Sequence, residues 1–352
     1  MQSIPAFDPR APLDPVSSAS AGAAVLTEGV GSPSRHASSP EHEASSFDLL
    51  GRVVLLASDG SPASAAATRV ADALARERGA IVHAISVVDT RPAPIPPPLD
   101  LALALGDAMT GSQVHQRQIE SVRAQLNANV DRPVDWPVHV VIGTPAIAIA
   151  QTARRLGAAL IVMGLRRHGA LDRAVHDETT LSVIRHARCP VLGVVPEHDT
   201  MPVRALAAMD FGRASSAAAR AVATLLGAGS TLVLAHVPRL DASALEEGEN
   251  LIQELGVAAA FARAERELAR PGLRLDRVVL RHQMPASVTR LVLEYADASR
   301  ADVISAGSMR HGRLDRWLLG SVSTELVRDG RRSVLIVPPS CDSLDDDGMR
   351  GV

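Results

Sequence analysis

The residues best placed to do chemistry lie between Gly307 and Ser321, which reads Gly-Ser-Met-Arg-His-Gly-Arg-Leu-Asp-Arg-Trp-Leu-Leu-Gly-Ser. An apolar run at residues 301–306 precedes them and an amphipathic segment at 322–328 follows, the pattern of a strand, a glycine-punctuated loop and a helix start. Glycines let backbone N–H groups approach an anion, and a helix N-terminus carries partial positive charge, so such a junction can hold phosphate. A second copy stands upstream. Residues 164–178 read Gly-Leu-Arg-Arg-His-Gly-Ala-Leu-Asp-Arg-Ala-Val-His-Asp-Glu, with Arg-His-Gly-x-Leu-Asp-Arg in common. The copies align without gaps from Gly164/Gly307 to Val191/Val334, a constant offset of 143 residues. The chain is therefore a tandem duplication.

Other chemistries find little support. His168 and His311 have no nucleophile or orienting acid assignable beside them, so they read as loop histidines rather than catalytic bases. Asp210-Phe211-Gly212 spells a kinase magnesium motif, but the accompanying glycine-rich and catalytic loops are absent. No Cys-x-x-Cys or His-Glu-x-x-His spacing predicts zinc, and no Gly-x-Gly-x-x-Gly follows a first strand as a dinucleotide enzyme requires. Cys189, one residue before Pro190 at the edge of a strand, reads as packed rather than reactive.

The elements that must position the loops follow in order. Residues 52–57 form an apolar run suited to a strand buried on both faces. Ser58-Asp59-Gly60-Ser61-Pro62 turns into a helix over 63–78, with Ser61 as cap and Pro62 at the first helical position. Strands at 80–88, 138–142, 159–163 and 191–195 then alternate with helices, a β-α-β-α-β-α-β-α-β order that argues a parallel sheet covered on both faces. From Val203 the order repeats, with strands near 205–209, 231–237, 275–281, 301–306 and 334–337. The fold class is α/β with two such lobes.

The 352 residues carry 46% hydrophobic content, enough for two cores. Only 2% are aromatic, which leaves few stacking platforms for single-stranded nucleic acid, and a net charge of -3 supplies no basic footprint for a duplex. Two cysteines make no disulfide framework, and neither a secretory signal nor an apolar span of about 20 residues is present; the expectation is a cytoplasmic protein with no membrane partner. Residues 1–46, rich in Ser, Ala and Pro, read as a disordered tail, and 341–352 as an acidic one. The two lobes then span 47–198 and 201–340.

Taken together, the turns after the first strands (Asp59-Gly60-Ser61 and Asp210-Phe211-Gly212), the Gly143-Thr144-Pro145 turn and the duplicated final loops resemble the universal stress protein family in its tandem form. The resemblance implies Rossmann-like lobes of the adenine nucleotide alpha hydrolase type, each a five-stranded parallel sheet. It implies that the last strands pair as in single-domain dimers, here within one chain, with further homodimerisation open. Nucleotide-binding members carry a frame of glycine, two residues, glycine, nine residues, then glycine and Ser or Thr. In the second lobe the frame falls on Gly307, Arg310, Gly320 and Ser321. Arg310 either contacts phosphate itself or fills the cradle. In the first lobe it falls on Gly164, Arg167, Asp177 and Glu178, a pair of carboxylates that suits a bare helix N-terminus and repels a triphosphate.

By position the resemblance implies that Asp210 stands near a ribose, that the backbone of Val237 meets adenine, and that Ala306, Gly307 and Val322 line the site. Asp59, Val87, Met163 and Gly164 are the first-lobe counterparts. Asp59 and Asp210 are equally candidates for capping their helices. Gln283 replaces the glycine of the second Gly-x-Pro turn. The expectation is a stress-adaptation binding module with ATP, with or without Mg²⁺, in the second lobe only, an unidentified protein partner and no catalysis. A nucleotide-independent scaffold and a slow ATP hydrolase are the rival readings.

Overall fold

The computed structural model describes residues 47–89, 111–165, 173–238, 247–281, 287–308, 320–329 and 331–338. The predicted tails, the proline-rich residues 91–98, Arg167, His168, Arg310, His311, Gln283 and Cys341 lie outside them.

The first lobe runs β1 (Val53–Ala57), α1 (Pro62–Arg78), β2 (Ile81–Val88), α2 (Gly111–Ala128), β3 (Val138–Ile142), α3 (Pro145–Arg155), β4 (Leu160–Gly164), α4 (Arg173–His186) and β5 (Val191–Val194). The second runs β6 (Arg204–Met209), α5 (Arg213–Leu225), β7 (Thr231–His236), α6 (Glu247–Leu268), β8 (Arg274–Val279), α7 (Val288–Ala298), β9 (Val303–Gly307), α8 (Ser321–Asp329) and β10 (Ser333–Val337). α1 begins as its sequence predicts. Ser61 Oγ accepts from the Ser64 N–H, Pro62 follows, and Gly79 ends the helix at φ 65°.

The two five-stranded lobes join into one sheet. All ten strands join in the order β3-β2-β1-β4-β5-β10-β9-β6-β7-β8, parallel within each lobe and antiparallel at the centre, where Leu192 of β5 faces Leu335 of β10. The last strands therefore pair within the chain, as the resemblance implied. Each β5 or β10 edge would otherwise offer a row of unpaired backbone groups next to apolar side chains, and joining them removes both edges.

Alternation along each strand divides the side chains between two cores. Val54 and Leu56 point to the face covered by α1, α2, α5 and α6, while Leu55 and Ala57 point to the face covered by α3, α4, α7 and α8. Strands covered on both sides must be apolar at successive positions, which explains the uninterrupted runs of the sequence.

In each lobe the chain lays two strands on one side of its first strand and two on the other. The reversal falls between β1 and β4, and between β6 and β9. Helices leave adjacent strands on opposite faces there, so a crevice opens at the carboxyl ends of those strands.

Candidate functional site

The second-lobe crevice is built from three segments. After β6, the Asp210 carboxylate turns back on its own loop: Oδ1 accepts from the Gly212 N–H at 2.9 Å and from the Ser215 hydroxyl at 2.5 Å. Among the described residues Oδ2 takes no hydrogen bond, and Asp210 is exposed. Asp210 does not cap α5. The cap position belongs to Gly212, which has no side chain to offer. In the first lobe Asp59 likewise accepts from Ser61 N–H, and the cap is Ser61 itself.

The turn carries strain. Phe211 has φ 60°, a left-handed conformation that costs a residue with a Cβ about 1–2 kcal/mol. Its first-lobe counterpart is Gly60, at φ 76°, where no such cost arises. The Phe211 ring lies 4.9 Å from the centres of both His236 and Phe261, edge-on to the latter. Such contacts are worth about 0.5–1.5 kcal/mol each and offset the strain. His236 in turn shares a 2.8 Å hydrogen bond between Nδ1 and the Met209 carbonyl, tying β7 to the end of β6.

The second segment is the end of β9, where Ala306 is buried and Gly307 half-buried. Gly307 is glycine for a packing reason: a Cβ there would fall 2.6 Å from Ala214 Cβ and closer still to the Ala214 backbone. The third is the start of α8. Thr324 N–H donates to the Gly320 carbonyl at 3.0 Å, so Gly320 is the cap and the N–H groups of Ser321, Val322 and Ser323 lack intrahelical acceptors. Gly320 needs glycine neither for its φ nor for space, since a Cβ would meet no described atom within 4 Å. Ser321 is exposed, Val322 packs partly against the core, and the Ser323 hydroxyl donates to the Gly307 carbonyl at 3.4 Å. That bond joins the second and third segments.

Val237 stands just beyond β7 and is half-buried. The crevice thus collects Asp210, Ala306, Gly307, Gly320, Ser321 and Val322, with Val237 at the neighbouring strand end; Arg310 lies outside the described residues. Ser215, Phe211 and His236 were missed. The signal for Ser215 was present, because Ser64 holds the matching place in the first lobe and also bonds its own turn, to the Ser61 carbonyl.

The first lobe corrects one expectation. Asp177 and Glu178 do not stand at a helix N-terminus, because α4 begins at Arg173 and both residues lie inside it. Without a glycine at 177 nothing interrupts helical propagation, so the helix extends upstream and consumes the N–H groups that α8 leaves free. Just after β4, Leu165 is buried against β5, where a Cβ on Gly193 would fall 2.5 Å from it, whereas the second lobe has Ser308. Among the described residues no group of three or more His, Cys, Asp or Glu gathers to hold a metal, and no helix is long and apolar enough to cross a membrane.

A family model described as the universal stress protein family matches residues 51–195 and again 201–338. The chain belongs to the universal stress protein family, in tandem form. A universal stress protein of Mycobacterium tuberculosis is 27% identical over 304 residues, covering 82% of this chain and 97% of its own length. A shorter one from Thermus aquaticus is 34% identical over 146 residues, covering 40% of this chain and 96% of its own. Among solved structures, a universal stress protein from Archaeoglobus fulgidus superposes with a TM-score of 0.55 at 18% identity, covering 81% of this chain and 98% of that one. That likeness extends the two-lobe Rossmann-like fold of this universal stress protein to a solved relative.

Proposed function

We propose that the second lobe of this tandem universal stress protein binds ATP in the β6/β9 crevice and acts as a ligand-responsive binding module in stress adaptation. The reading rests on Gly320, a helix cap whose missing Cβ would meet no described atom within 4 Å, with three N–H groups behind it that have no intrahelical acceptor, in the same crevice as an Asp210 carboxylate oxygen that takes no hydrogen bond among the described residues. A phosphate suits such a helix start, where backbone donors and the macrodipole act together. Asp210 Oδ2 would take a ribose hydroxyl, the backbone at Val237 the adenine edge, and Ala306 and Gly307 the floor. Gly320, Ser321 and Val322 would hold phosphate, with Arg310 supplying a cation from the intervening loop. Mg²⁺, when present, would ride on the phosphates.

The first lobe serves structure, because its helix N-terminus is displaced. The two domains divide near residue 200, and the last strands are consumed by their mutual pairing, so a homodimer would use another surface. The protein is read as cytoplasmic and as a binder rather than an enzyme, its nucleotide state presented to a protein partner.

Calorimetric titration with Mg-ATP tests this, using the natural chain beside a Gly320→Asp, Ser321→Glu variant that copies the first lobe into the second. Binding by the former and its loss in the latter is the expected result. No binding by the natural chain at about millimolar ATP, a free energy of only about -4 kcal/mol, would reject the nucleotide module and leave the scaffold reading.

A further inference from the structure

The two lobes differ in how they treat an arginine held against the first helix. In the first lobe, Arg132 and Arg76 both pair with the buried carboxylate of Asp72 on α1, each at 2.9 Å. The turns Asp59 and Asp210 set the alignment of α1 with α5, and it places Ala223 at the position of Asp72 and Gly227 at that of Arg76. The second-lobe arginine is nonetheless kept. Arg270, which like Arg132 precedes a proline after the long helix, reaches the same position and donates instead to the backbone carbonyls of Ala223 and Leu226.

A second guanidinium meets it there. Arg78, at the end of α1 in the other lobe, donates to the Leu225 carbonyl at 3.0 Å. Among the described residues neither Arg78 nor Arg270 has a carboxylate partner, and the buried Nε of Arg78 has no hydrogen-bond partner. Burial first, and then the charge of Arg78, hold the Arg270 guanidinium below its ordinary range. The last carbonyls of α5 offer about half a negative charge, against two whole positive ones. The site has lost its anion and gathers one cation from each lobe.

We propose that Arg78 and Arg270 form a binding site for a phosphate-class oxyanion at the junction of the two lobes. Planar guanidinium forks match the oxygens of such an ion, which would take the unused N–H groups as Asp72 takes those of Arg76 and Arg132. The site is independent of the nucleotide crevice, since α5 separates them: Ser215 lies near its N-terminal end and the arginines sit at its C-terminal end, about 15 Å apart along the helix. An ion bound there would bridge α1 of one lobe and α5 of the other.

The experiment is calorimetric titration of the full chain with inorganic phosphate and with phenyl phosphate, at ionic strength held constant with chloride. Phosphate binding is expected, weakened at least about tenfold by Arg78→Gln or Arg270→Gln and abolished by Ala223→Asp, which restores the carboxylate of the first lobe. Phenyl phosphate separates the sources: binding of both probes marks a site open to a phosphate carried on a small molecule, and binding of the inorganic ion alone a site for the free ion. Circular dichroism checks the fold of each variant, and the two glutamine variants decide the matter if Ala223→Asp does not fold. The proposal is overturned if the natural chain takes up no phosphate, or if binding survives both glutamine variants. It is overturned equally if the binding disappears with Gly320→Asp instead, because the ion would then belong to the nucleotide crevice.

Discussion

Gly307 and Ala214 touch backbone to backbone: a methyl group on Gly307 would fall 2.6 Å from Ala214 Cβ and nearer still to the Ala214 carbonyl. The end of β9 and the first turn of α5 therefore approach more closely than any other residue type at 307 allows. Gly320, thirteen residues on, has no such neighbour among the described residues. Two glycines that look alike in the sequence thus do different work.

Gly307→Ala is expected to destabilise the fold by about 1–3 kcal/mol, the cost of overpacking where backbone must give way. Gly320→Ala should change stability by less than about 1 kcal/mol and act mainly on phosphate-group binding. Urea denaturation of both variants, beside Mg-ATP titration, separates the two roles. Equal loss of stability in both would contradict it.

Ser215 donates to Asp210 Oδ1 and is buried, so it fixes the orientation of the carboxylate. Ser215→Ala should cost about 1 kcal/mol of stability, the net worth of one hydrogen bond. It should also weaken nucleotide binding without removing any group proposed to touch the ligand. Ser215→Thr, which keeps the hydroxyl, is the control: restored affinity argues for the hydrogen bond and against a packing effect.

His83 and His139 face each other across β2 and β3. Nδ1 of one and Nε2 of the other lie 3.0 Å apart, with ring centres 5.3 Å apart and planes 7° apart. Both nitrogens must then lie between the ring centres, so the rings meet edge to edge and one N–H donates to the other's lone pair. Such a pair resists a second proton. Burial lowers the pKa of His83 below 6.5, and burial, then His83, then Arg155 lower that of His139. As pH falls, the unfolded chain takes up protons first, so this contribution is full above about pH 6.5 and is lost below it. The urea midpoint should fall between about pH 7 and about pH 5.5, and fall less steeply in His139→Gln. An unchanged slope in the variant would show that the acid sensitivity lies elsewhere.

The Cys189 thiol is buried two residues before β5, and burial pushes its pKa up to about 12. Almost no thiolate exists at pH 8, and the thiolate is the reacting species. Iodoacetamide should leave Cys189 unmodified in the native chain and label it after denaturation, read by peptide mass spectrometry. Native labelling would mean that β5 opens far more readily than its central place in the sheet implies.

The sequence by itself determined the elements and their duplication, because both rest on local patterns. Apolar runs too short for helices, Ser61-Pro62 at a helix start and Gly79 at its end each carry their own physical reason within a few residues. The 143-residue offset made the lobes comparable before any contact was known. Tertiary structure decided what spacing cannot express. Gly307 is required by Ala214, which is distant in sequence, and Asp177 lies inside a helix that already begins at Arg173. The union of two sheets through Leu192 and Leu335, and the meeting of Arg78 with Arg270, depend on pairing between the lobes. Backbone reach and charge proximity across the fold are properties of distance in space, and a local pattern records only distance along the chain.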